Sequence, residues 1–234
     1  GGVWHSSSSG GGMIYSATLP NNSGRFTGGG GGGGVTASGP GTVVQRTFAK
    51  NIAGASDGGA VYAGRATLIK STFYSNTSAG DGGAVNALNT INALNSTFSD
   101  NRAAAGTGGG LWVSGTVYLT NTLIANNGPN DCVAGSSTAI TTLIEDGSCN
   151  ASYSGDPSLQ PLADNGGATW TMAVLLGSSA INQGGNGLAP ATDQRGVARP
   201  QNGIVDLGAF EAIFYVLTPT AGAGGAIMPG TPQT

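Results

Sequence analysis

Charge is what this sequence has least of. Only 8% of its 234 residues are Asp, Glu, Lys or Arg, where an ordinary soluble domain carries about a quarter. The lysines are two, Lys50 and Lys70, and the net charge is −3. No basic run exists to form the clustered positive face that nucleic acid or an anionic membrane requires. Strong helix formers of the Glu, Lys and Arg kind are nearly absent, so helices have little to build on. No apolar stretch approaches the ~20 residues of a membrane span. The opening GGVWHSSSSG lacks Met, a basic n-region and an apolar h-region. It reads as a processed or trimmed chain, so the missing signal peptide does not argue for cytoplasmic residence.

Histidine and cysteine are scarce as well. The one histidine, His5, lies far from the two cysteines, Cys132 and Cys149, and a metal site needs more Cys or His close by. A disulfide closing a short loop is the expected arrangement and would suggest an oxidising compartment. Two unpaired buried thiols are the alternative.

What is present is glycine, 44 residues of it, with Thr, Ser, Asn and Val in between. β-Branched residues favour strands, and the composition reads as all-β. The order is repetitive. RTFAKN at 46–51 returns as STFYSN at 71–76 and STFSDN at 96–101, so Asn51, Asn76 and Asn101 stand 25 residues apart. A degenerate TLIANN sets Asn126 at the next mark, with Leu123 in the phenylalanine position. A second mark travels with the first: GGGGV, DGGAV, DGGAV and TGGGL end on Val35, Val61, Val85 and Leu111. GGGMIYSATL at 10–19 is a less regular copy.

A unit of this length cannot bury an apolar face alone and must stack on its neighbours. Each unit is expected to close one coil of short strands and turns, ~4.8 Å from the next. Identical residues then superpose. Phe48, Phe73 and Phe98 would form an interior stack. Asn51, Asn76, Asn101 and Asn126 would form an amide ladder at a corner, where Asn tolerates the left-handed conformation. The Gly-Gly pairs would open the opposite corner.

The two marks resemble the polymorphic outer-membrane protein repeat, Gly-Gly-Ala-(Ile, Leu or Val) with Phe-x-x-Asn, over roughly residues 30–127. The blocks LIEDGSCN, DPSLQPLADNGGATWTMAVLLGSSAINQG and ATDQRGVARPQNGIVDLGAFE are similar to the C-terminal region of choice-of-anchor Q type bacterial surface proteins. The resemblance implies a right-handed single-stranded parallel β-helix on the cell surface, in which the terminal block ends the helix and a linker leads to an anchor. The expected organisation is N-terminal Gly/Ser-rich coils at 1–30, repeats at 31–127, terminal coils and cap at 128–211, and an apolar strand with a Pro/Gly/Thr-rich arm at 212–234.

Parallel β-helices include polysaccharide lyases, so the acidic residues bear on function. Asp57 and Asp81 occupy equivalent positions in adjacent units and could hold Ca²⁺, but an Asp that starts a Gly-Gly turn is the simpler reading, and Thr107 breaks the series. No set of Lys70, Arg65 and Arg102 recurs so as to define a cleft. Arg195 with Asp193 and Asp206 reads as an ion pair fastening the cap. His5 beside serines lacks the acid and oxyanion hole of a triad. Trp170 reads as core filling, and Tyr62, Asn86 and Trp112 as an outward stripe. Sequons fall at Asn21, Asn76, Asn95 and Asn150.

The expectation is therefore a non-catalytic, extracellular structural protein without cofactor. Its partners would be copies of itself, joined through open ends and through Ile213, Phe214, Tyr215, Val216 and Leu217, and possible surface glycans. A carbohydrate-binding or lyase-like β-helix is the alternative.

Overall fold

The computed structural model describes residues 31–215 and Gly225, together with the backbone of short strands at 4–6, 12–15, 18–20 and 23–24. The described residues build a parallel β-solenoid and contain no α-helix. Three sheets wrap a narrow core. The longest face stacks Val35–Val44, Val61–Ile69, Val85–Leu94, Leu111–Thr120 and Cys132–Ile140 in parallel register. A second face stacks Thr47–Ala49, Thr72–Tyr74, Thr97–Ser99, Leu123–Ala125 and Leu143–Ile144. A third, of two-residue strands, stacks Ile52–Ala53, Thr77–Ser78 and Arg102–Ala103. The irregular N-terminal copy belongs to the same stack, since Gly12–Tyr15 pairs with Gly41–Val44 and Thr18–Pro20 with Thr47–Ala49.

Side-chain alternation explains the long face. Val61, Ala63, Ala66 and Leu68 are buried, while the residues between them are half-buried or exposed. The same inward columns continue through Val85, Ala87, Ile91 and Ala93 to Leu111, Val113, Val117 and Leu119. On the second face the rings of Phe48, Phe73 and Phe98 are fully buried and nearly parallel, with centroids 5.1 and 4.6 Å apart. Isolated aromatic pairs prefer offset or edge-on geometry. Here the ~4.8 Å strand spacing dictates the stack instead.

The corners divide the work between two kinds of residue. Asn51, Asn76 and Asn101 are buried, and each amide bonds to the next copy: Asn51 Nδ2 and Asn76 Nδ2 donate to Asn76 Oδ1 (2.8 Å) and Asn101 Oδ1 (2.9 Å). The left-handed residue of this corner stands one position earlier, at Lys50, Ser75, Asp100 and Asn126 (φ +53 to +61). The ladder therefore continues to Asn127, whose Oδ1 accepts from Asn101 N and Nδ2 (2.9 and 2.8 Å). Asn126 is not a rung, and Ile124 rather than Leu123 lies over Phe98. The cause is one extra residue in the loop before Leu111. Ala103 pairs 25 residues after Ser78, whereas Leu111 pairs 26 after Val85. At the opposite corner Gly58, Gly82 and Gly108 adopt φ near +66 to +68, and a Cβ there would stand 2.3–2.5 Å from a backbone carbonyl.

The C-terminal block departs from the expectation of an end cap. The last coil, Cys132–Tyr153, closes the solenoid, with Tyr153 bridging to Leu143. Residues 157–212 run across the coils, along the flank of the phenylalanine face. The strands Thr47–Ala49, Thr97–Ser99 and Leu123–Ala125 are in consequence buried on both sides, as parallel strands covered on two faces must be. A second apolar cluster forms there, joining Leu123, Ala125 and Leu143 of the coils to Val174, Ala180, Leu207 and Ala212.

Candidate functional sites

The densest set of charged groups lies in this flanking block, and every member is engaged internally. Asp193, fully buried, accepts from the backbone N–H groups of Arg195, Val197 and Glu211 and pairs with the Arg195 guanidinium at 2.8 Å. Arg195 donates onward to the Asn165 and Glu211 carbonyls and lies 3.6 Å above the Phe210 ring. Asp206 does not pair with Arg195; it accepts from Asn182 N and Ala212 N. Arg199 pairs with Glu211 at 3.4 Å and donates to the Asp206 and Gly208 carbonyls. Burial raises the carboxyls of Asp206 and Glu211 above their ordinary values and lowers Arg199, with neighbouring opposite charges resisting each shift.

Gln194 ties this network to the solenoid. Its Nε2 donates to Thr47 Oγ1 (2.8 Å), Thr169 Oγ1 (2.9 Å) and the Trp170 carbonyl (3.1 Å), while its Oε1 accepts from Thr72 Oγ1 (2.7 Å). Lys70 Nζ donates to Thr192 Oγ1, and Ala209 N to Thr97 Oγ1. The threonines that precede each phenylalanine are thus the docking points of the flank. The Asp-Gln-Arg-Gly run is a clamp: Asp and Arg build its knot, and Gln reaches the coils. Trp170 contributes its carbonyl while its ring is 48% exposed, which corrects the core-filling expectation.

Asp57 and Asp81 stand in successive copies, and each carboxylate accepts a backbone N–H of the next copy. Asp57 Oδ1 takes Asp81 N (2.8 Å), and Asp81 Oδ1 takes Thr107 N (2.7 Å). They act as turn ligands. Among the described residues no group of three or more His, Cys, Asp or Glu side chains is arranged to hold a metal ion.

The third acidic site lies at the end of the solenoid. Asp131 and Asp146 bond reciprocally, each carboxylate accepting the other's backbone N–H (3.0 and 3.2 Å), and Asp131 also accepts from Asn127 N and Nδ2. Burial pushes the Asp131 carboxyl up to about 6 against the pull of those bonds. Burial also acts to raise Asp146, but its hydrogen bonds from Ser148 and Asp131 prevail and hold it below its ordinary value. Beside the pair, Cys132 and Cys149 form a disulfide. The loop it ties covers part of the last strand and borders a cleft of about 500 Å³ lined by residues 132–137, Cys149 and Asn150.

On the outer surface of the long face, Tyr62, Asn86 and Trp112 lie in register, but Asn86 is only 1% exposed between its half-buried neighbours. Tyr118 is 47% exposed in the column Thr67, Asn92, Tyr118, Thr138. Of the sequons, Asn76 and Asn95 are fully buried, whereas Asn150 is exposed. At the C-terminal run, Ile213 and Tyr215 are 38% and 75% exposed. Phe214 packs on the flank cluster. Among the described residues, 211–215 pair with no strand. Val216, Leu217 and the side chain of His5 lie outside the described residues.

Two features escaped the sequence reading. Ser71, Ser96, Thr122 and Thr142 form a hydroxyl column at the second corner, each bonding the carbonyl two residues earlier. The serine of each Ser-Thr-Phe was the available signal. The threonine docking row had the same signal and no means of showing its partner.

No family model, curated protein or solved structure matches this chain. No described helix is long and apolar enough to cross a membrane.

Proposed function

We propose that this chain is a non-catalytic extracellular structural protein, a β-helical rod that associates with copies of itself. The observation that carries the reading is the allocation of its polar chemistry. Apart from Asn86, whose Oδ1 has no partner, the buried Asn, Asp, Arg, Glu and Gln side chains described above are tied to backbone groups or to one another, an arrangement that stiffens a rod. Ile213 and Tyr215, exposed on a segment that pairs with no described strand, supply an association element, because apolar β-forming chain in water favours a partner strand. The Gly-Gly-Ala-Val and Phe-x-x-Asn repeat and the terminal Asp-Gln-Arg-Gly block support placement on a bacterial surface by their resemblance to surface proteins. Electron microscopy and sedimentation of the purified protein test the proposal. Concentration-dependent linear assemblies are expected, and strictly monomeric particles at high concentration would overturn it.

A second reading has one observation in its favour: the exposed Tyr118 in a polar Thr and Asn column offers a ring face to a sugar. Binding to surface glycans that is lost in Tyr118→Ala would support it. Release of unsaturated product from polyuronates with Ca²⁺, abolished by Asp57→Asn or Asp81→Asn, would establish the lyase form.

A further inference from the structure

The last strand of the long face, Cys132–Ile140, pairs with Leu111–Thr120 on one side and ends the sheet on the other. In a parallel ladder alternate backbone groups of such a strand point away from the sheet. The disulfide loop satisfies them only at the ends. Ser148 Oγ accepts from Cys132 N (3.1 Å), and Ser152 Oγ donates to the Ala139 carbonyl (3.4 Å). Between them the loop sends one side-chain bond, Asn150 Nδ2 to Ser137 Oγ (2.9 Å). Among the described residues no backbone group pairs with the outward edge from 133 to 138. That edge lines the cleft of about 500 Å³.

The edge is also unprotected. Natural sheets guard such strands with Lys, Pro or other charge, yet residues 132–144 contain no charged residue and no proline. The interior columns taper here, from Val113 and Leu119 to Ala134 and Ala139, with Cys149 and Ala151 packed against them. A further full coil therefore lacks a core to stack on, whereas a single added strand requires only the edge. The chain holds a matching segment. Ile213-Phe214-Tyr215-Val216-Leu217 is uncharged and rich in β-branched and aromatic residues, and its described part is unpaired.

We infer that the cleft beside Cys132–Ile140 is an acceptor slot, and that it takes the Ile213–Leu217 segment of a second copy as an added strand. The inference rests on the self-association reading and assigns its contact. Main-chain hydrogen bonds to the free edge supply the affinity, and a heterologous donor–acceptor contact of this kind propagates into an open filament.

The test uses the full chain and two surface variants, donor-blocked Tyr215→Lys and acceptor-blocked Ser136→Lys, both at exposed positions. Ala134→Pro is a second acceptor variant that removes an outward N–H. Matching denaturation midpoints establish that each folds. Sedimentation should show wild-type polymers, each variant monomeric, and an equimolar mixture of Tyr215→Lys and Ser136→Lys forming dimers and nothing larger. Hydrogen exchange at the outward-pointing amides between 133 and 139, Ala134 among them, should slow at least tenfold in those dimers. Polymers of both acceptor variants equal to wild type would overturn the slot while leaving self-association standing. A monomeric wild type whose edge amides are protected would mean that the chain's own segment fills the slot, and one with unprotected amides would remove slot and self-association together.

Discussion

Replacing Asn76 by alanine isolates the ladder from the rest of the coil. The substitution deletes four buried hydrogen bonds: those from Asn51 N (3.0 Å) and Nδ2 (2.8 Å) to Asn76 Oδ1, and those from Asn76 Nδ2 to the Phe48 carbonyl (3.0 Å) and Asn101 Oδ1 (2.9 Å). At about 1 kcal/mol for each net bond the loss is about 4 kcal/mol. Asn127→Ala removes five bonds, all part-buried at the more open end of the row, and at the lower end of the range for each bond should cost about 3 kcal/mol. Asn126→Ala is the control. Asn126 contributes a left-handed backbone (φ +61) and a main-chain bond to Glu145, so alanine costs only the ~1 kcal/mol of that conformation. Guanidinium unfolding followed by tryptophan fluorescence measures all three. With a slope of about 4 kcal/mol per molar, Asn76→Ala lowers the midpoint by about 1 M at unchanged slope. The frame is refuted if Asn126→Ala proves as damaging as Asn127→Ala, and the ladder argument fails if Asn76→Ala costs less than about 1 kcal/mol.

Phe73→Ala empties the middle of the ring stack and should cost about 3–5 kcal/mol, with Phe73→Leu losing clearly less; equal losses in chemical denaturation would count against stacking as the packed feature. Gln194→Ala should release the flanking block from Thr47 and Thr72. Limited proteolysis would then cut within 157–212 while the coils stay protected, and unchanged cleavage would show the clamp to be dispensable. Burial lifts Asp131 to about 6, so the folded state holds that proton more tightly than the unfolded chain, whose Asp titrates near ~3.9. Stability contributed by this group is full below about pH 4 and is lost as pH rises through about 6. Asp206 and Glu211, also raised by burial, act in the same sense, and Asp146, lowered, gains stability as pH rises below pH 4. The denaturation midpoint should fall between pH 4 and 6.5, and Asp131→Asn should flatten the fall; identical slopes would remove Asp131 as a cause.

The sequence by itself determined the coil. A recurring Phe and Asn at 25-residue spacing leaves a chain of this composition no way to bury its apolar face except by superposing like residues, so the ring stack and the amide row follow from periodicity. The same logic failed at Asn126: the 26-residue step from Val85 to Leu111 is present in the sequence, but only strand register shows that its extra residue carries the ladder on to Asn127. Tertiary structure alone decided where the terminal block lies. Asp193, Gln194 and Arg195 announce a tight local knot, but the Gln194 partners Thr72 and Thr47 stand 122 and 147 residues away in the chain. Long-range hydrogen bonds of that kind leave no periodic trace. The unguarded edge at Cys132–Ile140 is likewise a property of where stacking stops, which is set by the taper to Ala134 and Ala139 and by the loop folded against it. Repetition in sequence encodes the interior of a solenoid, while its flank and its ends are set by contacts between segments that do not repeat.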